Sequence, residues 1–165
     1  MRKPLSRSVA TGLILLAFAS ACSSSHSTGS QSTGSLPSVA NATNLKVEPL
    51  PAAGSSPAPT TLLTRDLVVG TGTAAVATNS VEIQYVGANY ADGKAFDSSW
   101  SRGQPTTFAL NSVIPGFAQG IVGMKVGGRR EVVIPPALGY GAAGQAPAVG
   151  PNETLVFVID LLAVQ

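Results

Sequence analysis

Thr154-Leu155-Val156-Phe157-Val158-Ile159-Asp160-Leu161-Leu162-Ala163-Val164 runs to within one residue of the chain's end, and its pattern decides the fold. Leu155, Phe157, Ile159 and Leu161 are two residues apart, so in a strand they share one face. Val156 and Val158 make the opposite face apolar too, which places this strand in the middle of a sheet. Working upstream, Arg130 to Ile134 reads as another strand, stopped by Pro135-Pro136. Thr106 to Leu110 is a short strand after Pro105. Val81, Ile83 and Tyr85 alternate with Glu82 and Gln84, the mark of a half-buried strand. Asp66 to Val69 is a shorter run closed by Gly70-Thr71-Gly72, and Asp92-Gly93 marks a turn. One helix is expected, over Gly116 to Gly123, with Phe117, Ile121 and Met124 on one face. Antiparallel strands with a single short helix make an α+β domain.

The strands and helix fall within residues 62–165, enough chain for one core. What precedes them has a different composition. Residues 1–21 carry Arg2, Lys3 and Arg7, then an apolar run from Val9 to Ala21 that is densest at Leu13-Ile14-Leu15-Leu16. That is the pattern of an export signal, too short to span ~30 Å of hydrocarbon comfortably. It ends in Ala19-Ser20-Ala21 before Cys22, the chain's only cysteine, and Ser23-Ser24-Ser25 follow. The arrangement resembles the lipobox of bacterial lipoproteins, with Ala19 where Leu is usual. The resemblance implies a lipid-modified Cys22 and membrane anchoring outside the cytoplasm. Without lipidation the chain is expected to be secreted. Residues 22–61 then read as a flexible tether. From 23 to 61, 28 of 39 residues are Ser, Thr, Gly, Pro or Ala, and only Lys46 and Glu48 are charged. Such a coil spans roughly 30–40 Å root-mean-square. Within it, Leu45, Val47 and Leu50 are placed to form a short edge strand.

Composition excludes several chemistries. One Cys and one His rule out an internal disulfide and a multi-Cys or multi-His zinc site, so no metal is expected. His26 falls in the tether and leaves the domain without a histidine base. The net charge is +2, but the first 21 residues hold three bases and no acid. The remainder is close to neutral, which argues against a nucleic-acid partner. Gly70-Thr71-Gly72 and Gly127-Gly128 lack the Lys-Ser/Thr of a phosphate loop and read as turns. What remains in the domain is aromatic: Tyr85, Tyr90, Phe96, Trp100, Phe108, Phe117, Tyr140 and Phe157.

Five stretches give these aromatics a context. They are Tyr85-Val86-Gly87, Asp92-Gly93-Lys94-Ala95-Phe96-Asp97-Ser98-Ser99, Val113-Ile114-Pro115-Gly116-Phe117, Ile134-Pro135-Pro136-Ala137-Leu138-Gly139-Tyr140-Gly141 and Thr154-Leu155-Val156-Phe157. Their order and spacing resemble the FKBP-type peptidyl-prolyl cis-trans isomerases, over about residues 65–164. The resemblance implies a curled antiparallel sheet wrapped around one short helix, with a proline pocket between them. It implies walls of Tyr85, Phe96, Phe108 and Phe157, and a floor of Phe117. Val113 and Ile114 would cover one side, with the Ile114 N–H donating to a substrate carbonyl. Tyr140 would donate to the carbonyl of the residue before proline, or near it. Asp97 would stand at the rim, oriented by Tyr85 and Arg102. On this reading Tyr140, Asp97, Phe96 and Ile114 are the catalytic set.

Isomerisation makes no bond and needs no cofactor, which suits a domain without His or Cys. The implied partners are proline-containing exported polypeptides and macrolides of the tacrolimus and rapamycin kind. Three features depart from the family pattern: Phe117 stands for the usual Trp, Thr106 for a frequent aromatic, and Leu110 to Val113 is short and lacks an acid. Gln145 and Ala148 also make the loop after Tyr140 smaller. These departures leave open a second reading, a chaperone or adaptor that binds proline segments without catalysis.

Overall fold

The computed structural model describes residues 34–165. The expected export signal at 1–21, Cys22 and His26 lie outside the described residues. In chain order the elements are β1 (Val39–Ala40), β2 (Leu50–Pro51), β3 (Leu63–Val68), β4 (Ser80–Asn89), β5 (Ala95–Ser98) and β6 (Thr106–Ala109). A 3-10 turn, Leu110–Ser112, leads into α1 (Pro115–Ile121); β7 (Arg129–Ile134), a second such turn at Pro136–Leu138, and β8 (Leu155–Val164) follow. All pairings between strands are antiparallel. The main sheet runs β3-β7-β8-β4-β5, with β6 also on β4, so β8 is central as its two apolar faces require. The fold is α+β, a curled antiparallel sheet around one short helix.

β4 divides its outer edge between two partners. Its first half pairs with β6, from Ser80↔Ala109 to Ile83↔Thr106, and its second half pairs with β5, from Val86↔Ser98 to Ala88↔Ala95. Tyr85 lies at the changeover. Its backbone is held there by Ser99, whose Oγ accepts from the Tyr85 N–H at 2.8 Å and whose N–H donates to the Tyr85 carbonyl at 3.0 Å. The concave face of the sheet presents Val81, Ile83, Tyr85, Val132, Ile134, Leu155, Phe157, Ile159 and Leu161 to α1, all buried.

The helix lies flush on β7 because glycines face the sheet. A Cβ at Gly116 would stand 2.4 Å from Ile134 Cγ2, and one at Gly120 would stand 2.6 Å from Val132 Cγ1. Pro115 begins the helix, where its missing N–H costs nothing. Its end at Ile121 is earlier than the expected Gly123, which has a φ of +83° and leaves the helix. Met124 still reaches the core. β3 starts three residues earlier than the Asp66–Val69 expectation. β5 was not expected as a strand: it has four residues and a register shift opposite Gly87 and Ala88.

Residues 34–61 correct the tether expectation. They lie against the convex face of the sheet and belong to the same compact unit as the rest of the described chain. β1 and β2 pair with each other, Val39↔Pro51 and Ala40↔Leu50. Leu50 therefore joins a separate two-stranded ribbon, not an edge of the main sheet, and Leu45, Val47 and Leu50 are exposed. Leu36 packs with Leu63, Val133, Val156 and Tyr90 on the convex face.

The segment is held mainly through its carbonyls. Arg129, fully buried, donates to the carbonyls of Asn41 (2.7 Å), Asn44 (3.2 Å) and Val47 (3.2 Å) while it pairs with Asp160 (2.5 and 2.6 Å). Arg65 donates to the Pro37 carbonyl at 2.8 Å, and the Tyr90 hydroxyl bonds the carbonyls of Ser35 and Ser55. A Ser/Pro/Ala-rich chain cannot bury enough apolar surface to order itself. Here the donors come from the sheet, and the prolines lower the entropy that ordering must overcome. We refer to residues 34–61 as the strap.

Candidate active site

The pocket forms where the concave face of the sheet is left uncovered beside α1. Tyr85 enters from β4, Phe96 and Asp97 from β5, Phe108 from β6 and Phe157 from β8. Val113 and Ile114 come from the approach to the helix, Phe117 from its first turn, and Tyr140 from the segment after β7. Together with Ser112 they line one cavity of about 320 Å³. Nine of the ten expected pocket residues line it. Arg102 does not, but it grips two that do. Ser112 was missed. It carries no motif of its own and is brought to the mouth by the short Leu110–Ser112 turn.

The rings interlock edge to face, the arrangement favoured by their quadrupoles. Phe117 lies at the centre, with centroids 5.0 Å from Phe157, 5.8 Å from Phe108 and 6.2 Å from Tyr85. Phe96 stands 5.7 Å from Phe157 and nearly perpendicular to it. Phe117 is 4% exposed, so it forms a floor and not a lip. Gly87 makes room for the Phe96–Phe157 pair. A Cβ there would fall 2.7 Å from Phe157 Cε1 and 2.8 Å from Phe96 Cζ. Thr106, which pairs with Ile83 in β6, does not line the cavity.

At the rim three polar groups close a ring. The Tyr85 hydroxyl donates to Asp97 Oδ2, Arg102 Nη1 donates to Asp97 Oδ1, and Arg102 Nη2 donates to the Tyr85 oxygen at 2.9 Å. The Arg102 guanidinium also lies 5.6 Å from the Tyr85 ring centroid. Burial pushes the Asp97 carboxyl up, but hydrogen bonds from Tyr85 and Arg102 outweigh it and hold Asp97 below the usual carboxylate range. The Tyr85 phenol is pushed up to about 12, first by burial and then by its bond to Asp97. Asp97 is thus an ionised acceptor already engaged by two donors, a poor candidate for a proton-transfer base.

Two other donors are free. The Tyr140 hydroxyl and the Ile114 N–H have no partner among the described residues. Burial, with the Asp97 charge second, raises the Tyr140 phenol, so it remains a neutral O–H donor at physiological pH. The cavity therefore offers an apolar floor, aromatic walls and two unspent hydrogen-bond donors, with no His, Cys or Lys in its lining.

A family model described as FKBP-type peptidyl-prolyl cis-trans isomerase matches residues 72–162. The chain belongs to the FKBP-type peptidyl-prolyl cis-trans isomerases. It is 48% identical over 107 residues to a probable FK506-binding protein of Corynebacterium glutamicum, covering 65% of this chain and 90% of that one. Its fold is similar to the crystal structure of FkpA from Escherichia coli, with a TM-score of 0.61 at 43% identity; 64% of this chain and 49% of FkpA are covered. A crystal structure of AtFKBP13 is similar over 65% of this chain and 95% of its own, with a TM-score of 0.59 at 37% identity. The FKBP family acts on X–Pro bonds, and its members bind proline-containing substrates and macrolides. The matched family region starts after the strap, which the FKBP pattern therefore leaves unassigned.

Proposed function

We propose that the cavity beside α1 receives an X–Pro segment of an exported polypeptide and accelerates rotation about its X–Pro bond. The observation that carries this reading is the pair of free donors, Tyr140 Oη and Ile114 N–H, beside an aromatic floor. The proline ring packs on Phe117 between Tyr85, Phe96, Phe108 and Phe157. Val113 covers one side, the Ile114 N–H takes a substrate carbonyl, and Tyr140 takes the carbonyl of the residue before proline or one near it. Asp97, tied to Tyr85 and Arg102, shapes the rim.

Rotation about an X–Pro bond meets a barrier of ~18–20 kcal/mol because twisting breaks amide resonance. The planar amide carries more charge on oxygen and nitrogen than the twisted one. An apolar, water-poor cavity disfavours the planar form relative to the twisted one. Donors that hold the flanking carbonyls in a bent geometry add to that preference. Only interactions stronger in the twisted state speed the step, and each ~1.4 kcal/mol of such preference is about tenfold in rate. No covalent intermediate is needed, which suits a lining that holds no His, Cys or Lys.

The setting is proposed from residues outside the described part. The basic, apolar and small-residue order of residues 1–21, with Cys22 after it, supports export and anchoring through lipid on Cys22. The clients are then proline-containing chains emerging at the outer face of the membrane. A macrolide that fills the aromatic cavity is expected to compete with them.

The test is an NMR exchange measurement on an apolar-X-Pro peptide with the full chain carrying Cys22→Ser. The expected result is faster cis–trans exchange, removed by a macrolide. A folded protein that shifts the peptide signals but leaves exchange at its spontaneous rate overturns the catalytic reading.

A further inference from the structure

Through Glu48 the strap meets β5, the strand that carries the rim residue Asp97. The Glu48 Oε1 accepts a hydrogen bond from the Ser98 hydroxyl at 2.6 Å. Ser98 is 8% exposed and follows Asp97 in β5. It also organises the turn that carries Arg102: its carbonyl accepts from the Ser101 hydroxyl at 2.8 Å, and its Oγ from the Ser101 N–H at 3.3 Å. The Arg102 N–H then bonds the Ser99 carbonyl. The Ser98 backbone N–H helps to hold the Asp97 carboxyl low. Ser98 is therefore the residue through which both arms of the rim, Asp97 and Arg102, are braced.

Glu48 is itself held on either side. The Val47 carbonyl before it accepts from buried Arg129 at 3.2 Å, and Pro49 after it is buried. A side chain so placed loses little further freedom when it makes its bond.

We infer that Glu48 is a positioning residue for the isomerase site, and that the strap acts on catalysis by bracing Ser98 and, through it, the Asp97–Arg102–Tyr85 ring. The inference rests on the reading of the cavity as the isomerase site. It assigns a role to a segment that the family region does not include.

The test compares Glu48→Ala, Glu48→Gln and Ser98→Ala in the full chain carrying Cys22→Ser. The readouts are peptide exchange kinetics and the ¹³C ring resonance of Tyr85. Glu48→Ala is expected to lower kcat/KM about threefold to tenfold, the size of one lost positioning hydrogen bond, and to shift the Tyr85 resonance. Glu48→Gln keeps an acceptor oxygen and is expected to retain both signals. Ser98→Ala is expected to reproduce the loss, and the double variant Glu48→Ala/Ser98→Ala to be no worse than the single ones.

A folded Glu48→Ala protein with both readouts unchanged overturns the inference, as does a Glu48→Gln protein that behaves like Glu48→Ala. Should Glu48→Ala fail to fold, Ser98→Ala carries the comparison. Should the unmutated chain show no turnover, the functional reading falls while the Tyr85 resonance still decides this one.

Discussion

Arg129→Met separates a folded strap from a tether that happens to lie nearby. The Arg129 side chain is 0% exposed and its partner Asp160 is 5% exposed. Met replaces the stem and removes five donors, so it leaves one buried carboxylate unpaired and takes a donor from three strap carbonyls, of which those of Asn41 and Asn44 keep only their turn bonds from the Asn44 and Val47 N–H groups. Breaking a buried pair by removing one partner costs about 3–5 kcal/mol. For the 132 residues described, the unfolding entropy is about 0.28 kcal/mol/K, so the loss amounts to a fall in Tm of roughly 10–18 °C. That figure alone does not involve the strap.

The double variant Arg129→Met/Asp160→Leu isolates it. An apolar pair of similar volume can replace a buried ion pair at little net cost. The carbonyls of Asn41, Asn44 and Val47 still lose the Arg129 donor, at about 0.5–1.5 kcal/mol each. The double variant is thus expected to recover only part of the Tm. Amide exchange supplies the local readout. The Ala52 N–H, which donates to Ser38 across the ribbon, is expected to lose protection while Ile159 in β8 keeps its own. Unchanged protection at Ala52 in the double variant, or recovery to the parent Tm, refutes the claim that Arg129 holds the strap.

Three further outcomes follow from the pocket. Tyr140→Phe removes a free donor and leaves the ring, so kcat/KM is expected to fall roughly threefold to tenfold with Tm within a degree or two, read by peptide exchange and calorimetry. Gly87→Ala places a methyl 2.7–2.9 Å from the Phe157 and Phe96 ring atoms, and is expected to cost about 1–3 kcal/mol of stability and to weaken macrolide binding as the rings shift into the cavity. The pH profile of kcat/KM is expected to be flat from about pH 5 to 9, because the pocket's titrating groups lie outside that window. Asp97 has a lowered value, so its stabilising contribution is complete above the ordinary aspartate value and is lost as pH falls through its own. The Tyr85–Asp97 bond is complete below the ordinary tyrosine value and is lost as pH rises through about 12. A bell centred near neutrality contradicts this assignment of the groups.

The aromatic pocket was legible because its residues lie in short, ordered contexts that the whole fold constrains. Taken together those contexts resemble the FKBP pattern, which is what assigned Tyr85, Phe96, Phe117, Tyr140 and Phe157 to one pocket; Phe117 and Tyr140 also stand next to glycines, while Phe157 lies inside β8. Gly87 faces two rings, Gly116 sets the helix on β7, and Pro135 ends a strand before Tyr140. Central β8 was legible from its second apolar face, formed by Val156 and Val158. What covers that face was not. Val156 is met by Leu36, Leu63 and Tyr90, and Leu36 comes from a segment whose composition reads as disordered.

The misreading has a definite physical source. Composition reports what a segment can bury for itself, whereas the strap is ordered by what the sheet offers its backbone. Arg129 and Arg65 carry no motif, and Tyr90 is one more aromatic of the domain. Nothing in their local sequence states that their donors are aimed at carbonyls between 28 and 88 residues away. Asp160 held the one available clue. An acid inside an otherwise apolar central strand needs a buried cation, and Arg129 lies directly opposite it in the β7–β8 register. A guanidinium so placed has more donors than one carboxylate can accept. The remainder must find acceptors nearby, and a proline-rich segment supplies carbonyls with few competing N–H groups. On that argument a buried Arg–Asp pair in a central sheet is itself evidence that the neighbouring polar segment is folded.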